Sequence, residues 1–175
     1  MALLTTAQLE ASPIVANNRM NRERNLAGSN GYDRELRLHP LERLADVVRR
    51  RGQASWLDLC CGTGRALVEA AQQADVANLP LTIVGVDLAG LFFPASSPRL
   101  VRHEASLTDW QPDRFFDLIT CVHDLHYIGD KLDLLARAAS WLTDNGLLVG
   151  NLDLANLRLA DGRPAARIFA AEFRR

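Results

Sequence analysis

The ten residues Trp56–Arg65, WLDLCCGTGR, constrain the fold of this 175-residue chain more than any other stretch. An apolar run ends on two close glycines, Gly62 and Gly64, and an alanine-rich helical stretch, GRALVEAAQQADVA, takes over at once. A buried strand that breaks into a glycine turn and then a helix is the opening unit of a βαβ fold. Glycine has no Cβ, so the backbone can turn sharply there and a ligand can approach it closely. N–H groups at the start of the following helix face the crevice beyond the strand.

The same alternation continues along the chain. HPLERLADVVRRRG reads as a helix with Pro40 at its first position and Gly52 as its stop. LTIVGVD is a strand ending in Asp87, PRLVRHEAS is a weaker one, and FFDLITCV is strong, with β-branched residues after an aromatic start. DKLDLLARAASWLTDNG predicts a helix capped by Asp130, with Leu132, Leu135, Ala139 and Leu142 inward and Asn145-Gly146 as its end. LLVGNLDL is the last clear strand, and RPAARIFAAEFRR predicts a closing helix. The strands are continuously apolar rather than alternating, which implies a parallel sheet covered on both faces. The fold class expected is α/β, doubly wound, with the first strand central and the ligand crevice at the carboxyl ends of the strands. Residues 1–38 are expected to form an arm or lid, and 39–175 the domain proper.

Composition removes several alternatives. A net charge of −1 shows no basic excess of the kind a general nucleic-acid binder carries. No apolar run is long enough to span a membrane. The N-terminal stretch MALLTTAQLEASPIVANN lacks an early Lys or Arg and holds Glu10, so it is a poor signal peptide. Three cysteines, two of them adjacent, do not make a disulfide framework. The expectation is a reduced, cytoplasmic protein.

Two acids frame the glycine turn. Asp58 sits two residues before Cys60, at the end of the first strand, and Asp87 closes the second strand 23 residues after Gly64. A carboxylate in the second place can accept both hydroxyls of a ribose. LDLCCGTGR, VGVD, FDLITCVHDLHYI and LTDNGLLVGNLDL together resemble the class I S-adenosylmethionine-dependent methyltransferases over roughly residues 40–155. The resemblance implies a Rossmann-like, mainly parallel sheet with helices on both faces, and S-adenosyl-L-methionine as cofactor. It implies that Asp58, Cys60, Gly62 and Gly64 form the cofactor turn and that Asp87 binds the ribose. It further implies that Leu88 flanks the adenine, Ser106 and Leu107 stand at the adenine amino contact, and Cys121 with Val122 lies by the methionine portion.

Three departures accompany it. Cys60 replaces the family's first glycine, which is tolerable if its φ is negative. Ser106 replaces an acid, which weakens adenine recognition by about 1 kcal/mol. The family fold adds two further strands, the last antiparallel, and the residues after LLVGNLDL are too few to build them, so strand five is expected to be an exposed edge open to a second copy.

CVHDLHY places Cys121, His123 and His126 near the end of the fourth strand, beside the first. With Cys60 and Cys61 they raise the question of zinc, but the spacing is not a pair of ligand pairs and adjacent cysteines on a strand point opposite ways, so no metal is expected and Cys61 belongs in the core. His123 and His126 are the candidate catalytic residues, as bases taking a proton from a hydroxyl or amine during methylation. YIGDK matches the Tyr-x-x-x-Lys spacing of short-chain dehydrogenases, but Gly129 and the Asp130 cap interrupt the helix that motif needs. Leu67, where a dinucleotide fingerprint needs Gly or Ala, argues against a nicotinamide enzyme. In the polar arm, Arg22, Arg24 and Tyr32 are candidates to close over the site. The expected function is methyl transfer to a small-molecule oxygen or nitrogen acceptor, with a non-catalytic S-adenosyl-nucleoside-binding or scaffold domain as the alternative.

Overall fold

A computed structural model describes residues 4–11, 23–159 and 161–172. Arg22 lies outside them. Five strands, β1 (Ala54–Leu59), β2 (Leu81–Asp87), β3 (Leu100–Glu104), β4 (Phe116–Cys121) and β5 (Leu142–Gly150), form one sheet in the order β3-β2-β1-β4-β5. Every neighbouring pair is parallel. The central strand is the one that runs into the glycine turn, as the alternation of elements predicted.

Helices α1 (Thr6–Glu10), α2 (Tyr32–Leu36), α3 (Pro40–Arg51), α4 (Arg65–Val76), α5 (Lys131–Ser140) and α6 (Ala166–Glu172) complete the described elements. Successive strand residues face opposite ways and so serve two cores. Trp56, Ile83 and Leu118 pack with Leu44 and Val47 of α3 and Ala66, Leu67 and Ala70 of α4 on one face. Leu57, Leu59, Val84, Val86 and Ile119 pack with Leu134 and Ala138 of α5 on the other. This two-sided burial is why β1, β2 and β4 are nearly continuously apolar, whereas the edge strand β3, LVRHE, is not.

Two local expectations are corrected. The helix after Asp130 ends at Ser140, not at Asn145-Gly146, and residues 142–146 belong to β5. Phe116 is opposite Leu142 while Leu118 is opposite Leu147, so β5 carries a bulge between these two pairs. Gly146 sits in that bulge because an added Cβ would lie 2.7 Å from the Phe116 carbonyl oxygen. The buried stripe of α5 is Leu134 and Ala138, while Leu132 is exposed. The Asp130 cap is as expected, its side chain accepting from the Asp133 N–H.

Leu67 is fully buried, and the room for it comes from β2. A Cβ on Gly85 would lie 2.6 Å from Leu67 Cδ1 and 2.8 Å from Cys61 Sγ. The small residue that lets helix and sheet approach is therefore on the strand instead of the helix. Gly85→Ala is expected to destabilise the fold by about 1–3 kcal/mol through overpacking. Combining it with Leu67→Ala should cost less than the sum of the two single changes, as read by chemical denaturation; full additivity would show that the two sites do not share this space.

Candidate active site

The carboxyl ends of β1, β2 and β4 converge on the turn Cys60–Gly64. Gly62 and Gly64 have φ of 59° and 68°, the left-handed region that glycine enters without strain. Cys60 does so too, with φ 56°, contrary to the negative value expected of it. A non-glycine residue there costs on the order of 1 kcal/mol. The surroundings hold it in place: Cys61 N–H donates to the Val86 carbonyl at 3.0 Å and Gly64 N–H to the Cys61 carbonyl at 2.9 Å. Cys61 is buried in the α4-side core as predicted, while Cys60 packs on the opposite side. There the Cys60 thiol shares a hydrogen bond with Cys121, and this together with burial pushes its pKa up.

Asp87 binds the turn directly. Its Oδ2 accepts the Gly62 N–H at 2.9 Å and its Oδ1 accepts the Ala89 N–H at 2.9 Å. A carboxylate has about four acceptor positions, so each oxygen keeps one for a ligand hydroxyl. Leu88 beside it is 37% exposed. The chain then crosses the turn, with Phe93 N–H donating to the Thr63 carbonyl at 2.7 Å. Ser106 follows β3, and its Oγ donates to Oε1 of Glu10 on α1 at 2.6 Å, which brings a carboxylate to the place where the sequence has none. Leu107 and Cys121 are core residues, buried to 6% and 1% exposure.

Asp58 is fully buried at the end of the central strand. Tyr32 of α2 donates its hydroxyl to Asp58 Oδ2 at 2.7 Å, and the Thr120 hydroxyl donates to Oδ1. Trp56 Nε1 donates in turn to Thr120 Oγ1 at 2.8 Å. Burial pushes the Asp58 carboxyl up to about 7, against the pull of the Thr120 and Tyr32 hydrogen bonds and with help from the Asp124 and Asp87 charges. The Asp87 and Asp124 charges thus act on one crevice beside an acid that keeps its proton to about pH 7, a field suited to a cation and hostile to a pyrophosphate.

The histidines follow β4: His123 precedes a short 3-10 turn, Asp124–Tyr127, as its N-cap, and His126 lies within it. His123 has φ 67° and lies 2.6 Å, Nε2 to Oε2, from Glu35 of α2. Its backbone N–H donates to Asn151 Oδ1 at 3.3 Å, and Asn151 Nδ2 donates to the Glu35 backbone carbonyl at 3.4 Å. His126 is exposed and its ring lies against Tyr127, with centroids 3.9 Å apart. Partial burial lowers its pKa. Arg24 Nη1 donates to Asn30 Oδ1 and approaches Glu35 Oε1 at 3.4 Å. Sequence reasoning singled out Tyr32 but not Glu35, Thr120 or Asn151; their shared signal is a polar residue at or beyond a strand end, or one helical turn from Tyr32. The Asp130 cap separates Tyr127 from the helix of Lys131, so the dehydrogenase-like spacing spans two elements. Among the described residues, no group of three or more His, Cys, Asp or Glu is placed to hold a metal ion. A second cavity, lined by Arg51, Arg99, Arg114 and Asp117, opens at the amino ends of the strands, away from the turn. Its arginines pair with Asp117, Asp75 and Asp113.

A family model described as a methyltransferase domain matches residues 29–171. No curated protein matches the chain. Among solved structures, the plantazolicin methyltransferase BpumL in complex with SAH superposes with a TM-score of 0.54 at 13% identity, covering 93% of this chain and 65% of that one. A SAM-dependent methyltransferase from Geobacter sulfurreducens, in complex with S-adenosyl-L-homocysteine, gives 0.50 at 18% identity over 79% and 55%. The sugar N-methyltransferase KedS8 from Streptoalloteichus is 27% identical over 66% of this chain and 48% of its own, with a TM-score of 0.47. The chain spans about half the length of several solved chains it matches.

The buried acid makes stability depend on pH. The folded state keeps the Asp58 proton to about pH 7, while an unfolded carboxyl loses it near 4, so the folded form binds more protons between those values. Stability conferred by the protonated acid is complete below pH 4 and is lost as pH rises through 7, on the order of 4 kcal/mol. Denaturant unfolding at pH 4 to 8 should show this loss in the wild type and not in Asp58→Asn; parallel profiles would contradict it.

Proposed function

Because the chain belongs to the methyltransferase-domain family, we propose that its crevice holds S-adenosyl-L-methionine and presents the methyl group to a small-molecule oxygen or nitrogen acceptor. The observation that carries this reading is the contact of Asp87 with Gly62, which sets a ribose-binding carboxylate against the bend where the cofactor backbone must pass. Solved structures with this fold hold S-adenosyl-L-homocysteine. The residues fit such a group. Asp87 keeps one acceptor position on each oxygen, Leu88 offers apolar surface beside it, and the turn is open enough that a Cβ on Gly64 would meet little besides Arg102 Cδ at 3.4 Å. Asp87 and Asp124 supply the negative field that a sulfonium favours.

The bound sulfonium supplies an electrophilic methyl group, so the protein needs no nucleophile of its own. What remains for this chain is alignment and proton removal. Tyr32 fastens α2 over the end of β1 through Asp58. His123, at the end of β4 and 35% exposed, is the candidate base. His126, on the same turn, is the second candidate.

Among the described residues no helix is long and apolar enough to cross a membrane, in keeping with the proposed cytoplasmic location. The outer edge of β5 pairs with no strand among the described residues, which supports association of two copies there.

Asp87→Ala is expected to weaken S-adenosylmethionine binding by about 2 kcal/mol in isothermal titration calorimetry, through loss of two charge-assisted hydrogen bonds. Unchanged affinity would place the ribose elsewhere. Tight wild-type binding with no transfer to any acceptor in a broad panel would favour a binding domain without turnover. Binding of NADH alone would remove both readings.

A further inference from the structure

We propose that Glu35 and His123 form a carboxylate–imidazole pair in which Glu35 positions His123 as a general base, and that the acceptor is therefore a weakly acidic hydroxyl of the phenol type. This rests on the methyl-transfer reading above. The two side chains come from elements far apart in sequence and meet at 2.6 Å, Nε2 to Oε2, at the carboxyl ends of the strands. Each remains partly open, 35% exposed for His123 and 27% for Glu35.

Glu35 is held from several sides. Tyr32, three residues earlier and so on the same helical face, is anchored on Asp58. Arg24 approaches the other carboxylate oxygen, and Asn151 joins the backbone carbonyl of Glu35 to the backbone N–H of His123, which ties the two segments together. A carboxylate on Nε2 favours the tautomer with hydrogen on that nitrogen, which leaves Nδ1 with its lone pair to take a proton. This is the arrangement of a base oriented by a third group.

An oriented base matters most to an acceptor that is a poor nucleophile until it loses a proton. A neutral amine already carries its lone pair. A phenolic hydroxyl, with an ordinary pKa near 10, gains most from a base working near neutrality. In the reaction the acceptor oxygen forms a bond to the methyl carbon as the carbon–sulfur bond breaks. The electron pair of that bond goes to sulfur, giving the neutral thioether. The hydroxyl proton passes to Nδ1 of His123 and then to solvent.

The test is transfer of labelled methyl from S-adenosylmethionine to a panel of substituted phenols and of amines uncharged at the assay pH, with S-adenosylhomocysteine binding followed by calorimetry. At least one phenol should be methylated. On it, Glu35→Gln, which keeps the shape of the contact, should lower kcat about 10- to 100-fold with the KM for S-adenosylmethionine and the melting temperature little changed. Glu35→Asp should recover most of the loss. Glu35→Gln should add nothing in a His123→Ala background, because the two act as one unit. A phenol turned over equally well by wild type and Glu35→Gln would overturn the proposal, as would cofactor binding with no phenol methylated. Absence of S-adenosylhomocysteine binding in the wild type would overturn the methyl-transfer reading itself.

Discussion

The N–H of Gly62 donates to Asp87 at 2.9 Å, and this bond joins the end of β2 to the bend that follows β1. The β1–β2 pairing and the Cys61–Val86 backbone bond set the spacing of the two strand ends, and the Asp87 contact fixes the carboxylate against the bend. It ties the carboxylate in one orientation while leaving acceptor capacity on both oxygens. It also helps to hold the turn in left-handed backbone, which even Cys60 adopts at the cost of strain. Strained backbone retained at a strand end, against well-packed cores on both faces, is common where a site needs a set geometry.

The second feature of the site is its charge. The charges of Asp124 and Asp87 act on Asp58, which burial above all makes hold its proton to about pH 7. Tyr32 and Thr120 satisfy that acid with hydroxyl donors instead of a cation, so no positive side chain offsets the Asp87 and Asp124 charges through it. The same short helix α2 carries both Tyr32, bound to Asp58, and Glu35, bound to His123.

Much of this was legible in the sequence. Apolar runs separated by helices or loops pointed to the parallel sheet, because strands buried on both faces, as β1, β2 and β4 are, carry no polar alternation. Asp87 and the glycines were legible because their roles depend on backbone position at strand ends. Glu35 and Asn151 were not: each is one polar residue in a segment without local pattern, and only the contact of α2 with the residues that follow β4 and β5 brings them together. The bulge in β5 was hidden for a related reason. Asn145-Gly146 is a good helix end taken alone, but here Gly146 lets β5 pass close over the Phe116 carbonyl. The sign of φ at Cys60 is likewise set by the contacts around the turn, which no local propensity reports.

A crystal structure of the protein soaked with S-adenosylhomocysteine tests the account most directly. The account predicts both ribose hydroxyls within hydrogen-bond distance of the Asp87 carboxylate, with the ligand passing over Gly62–Gly64 and its sulfur toward the ends of β1 and β4. A nucleoside bound away from Asp87, or at the amino ends of the strands beside Arg51 and Arg99, would contradict it.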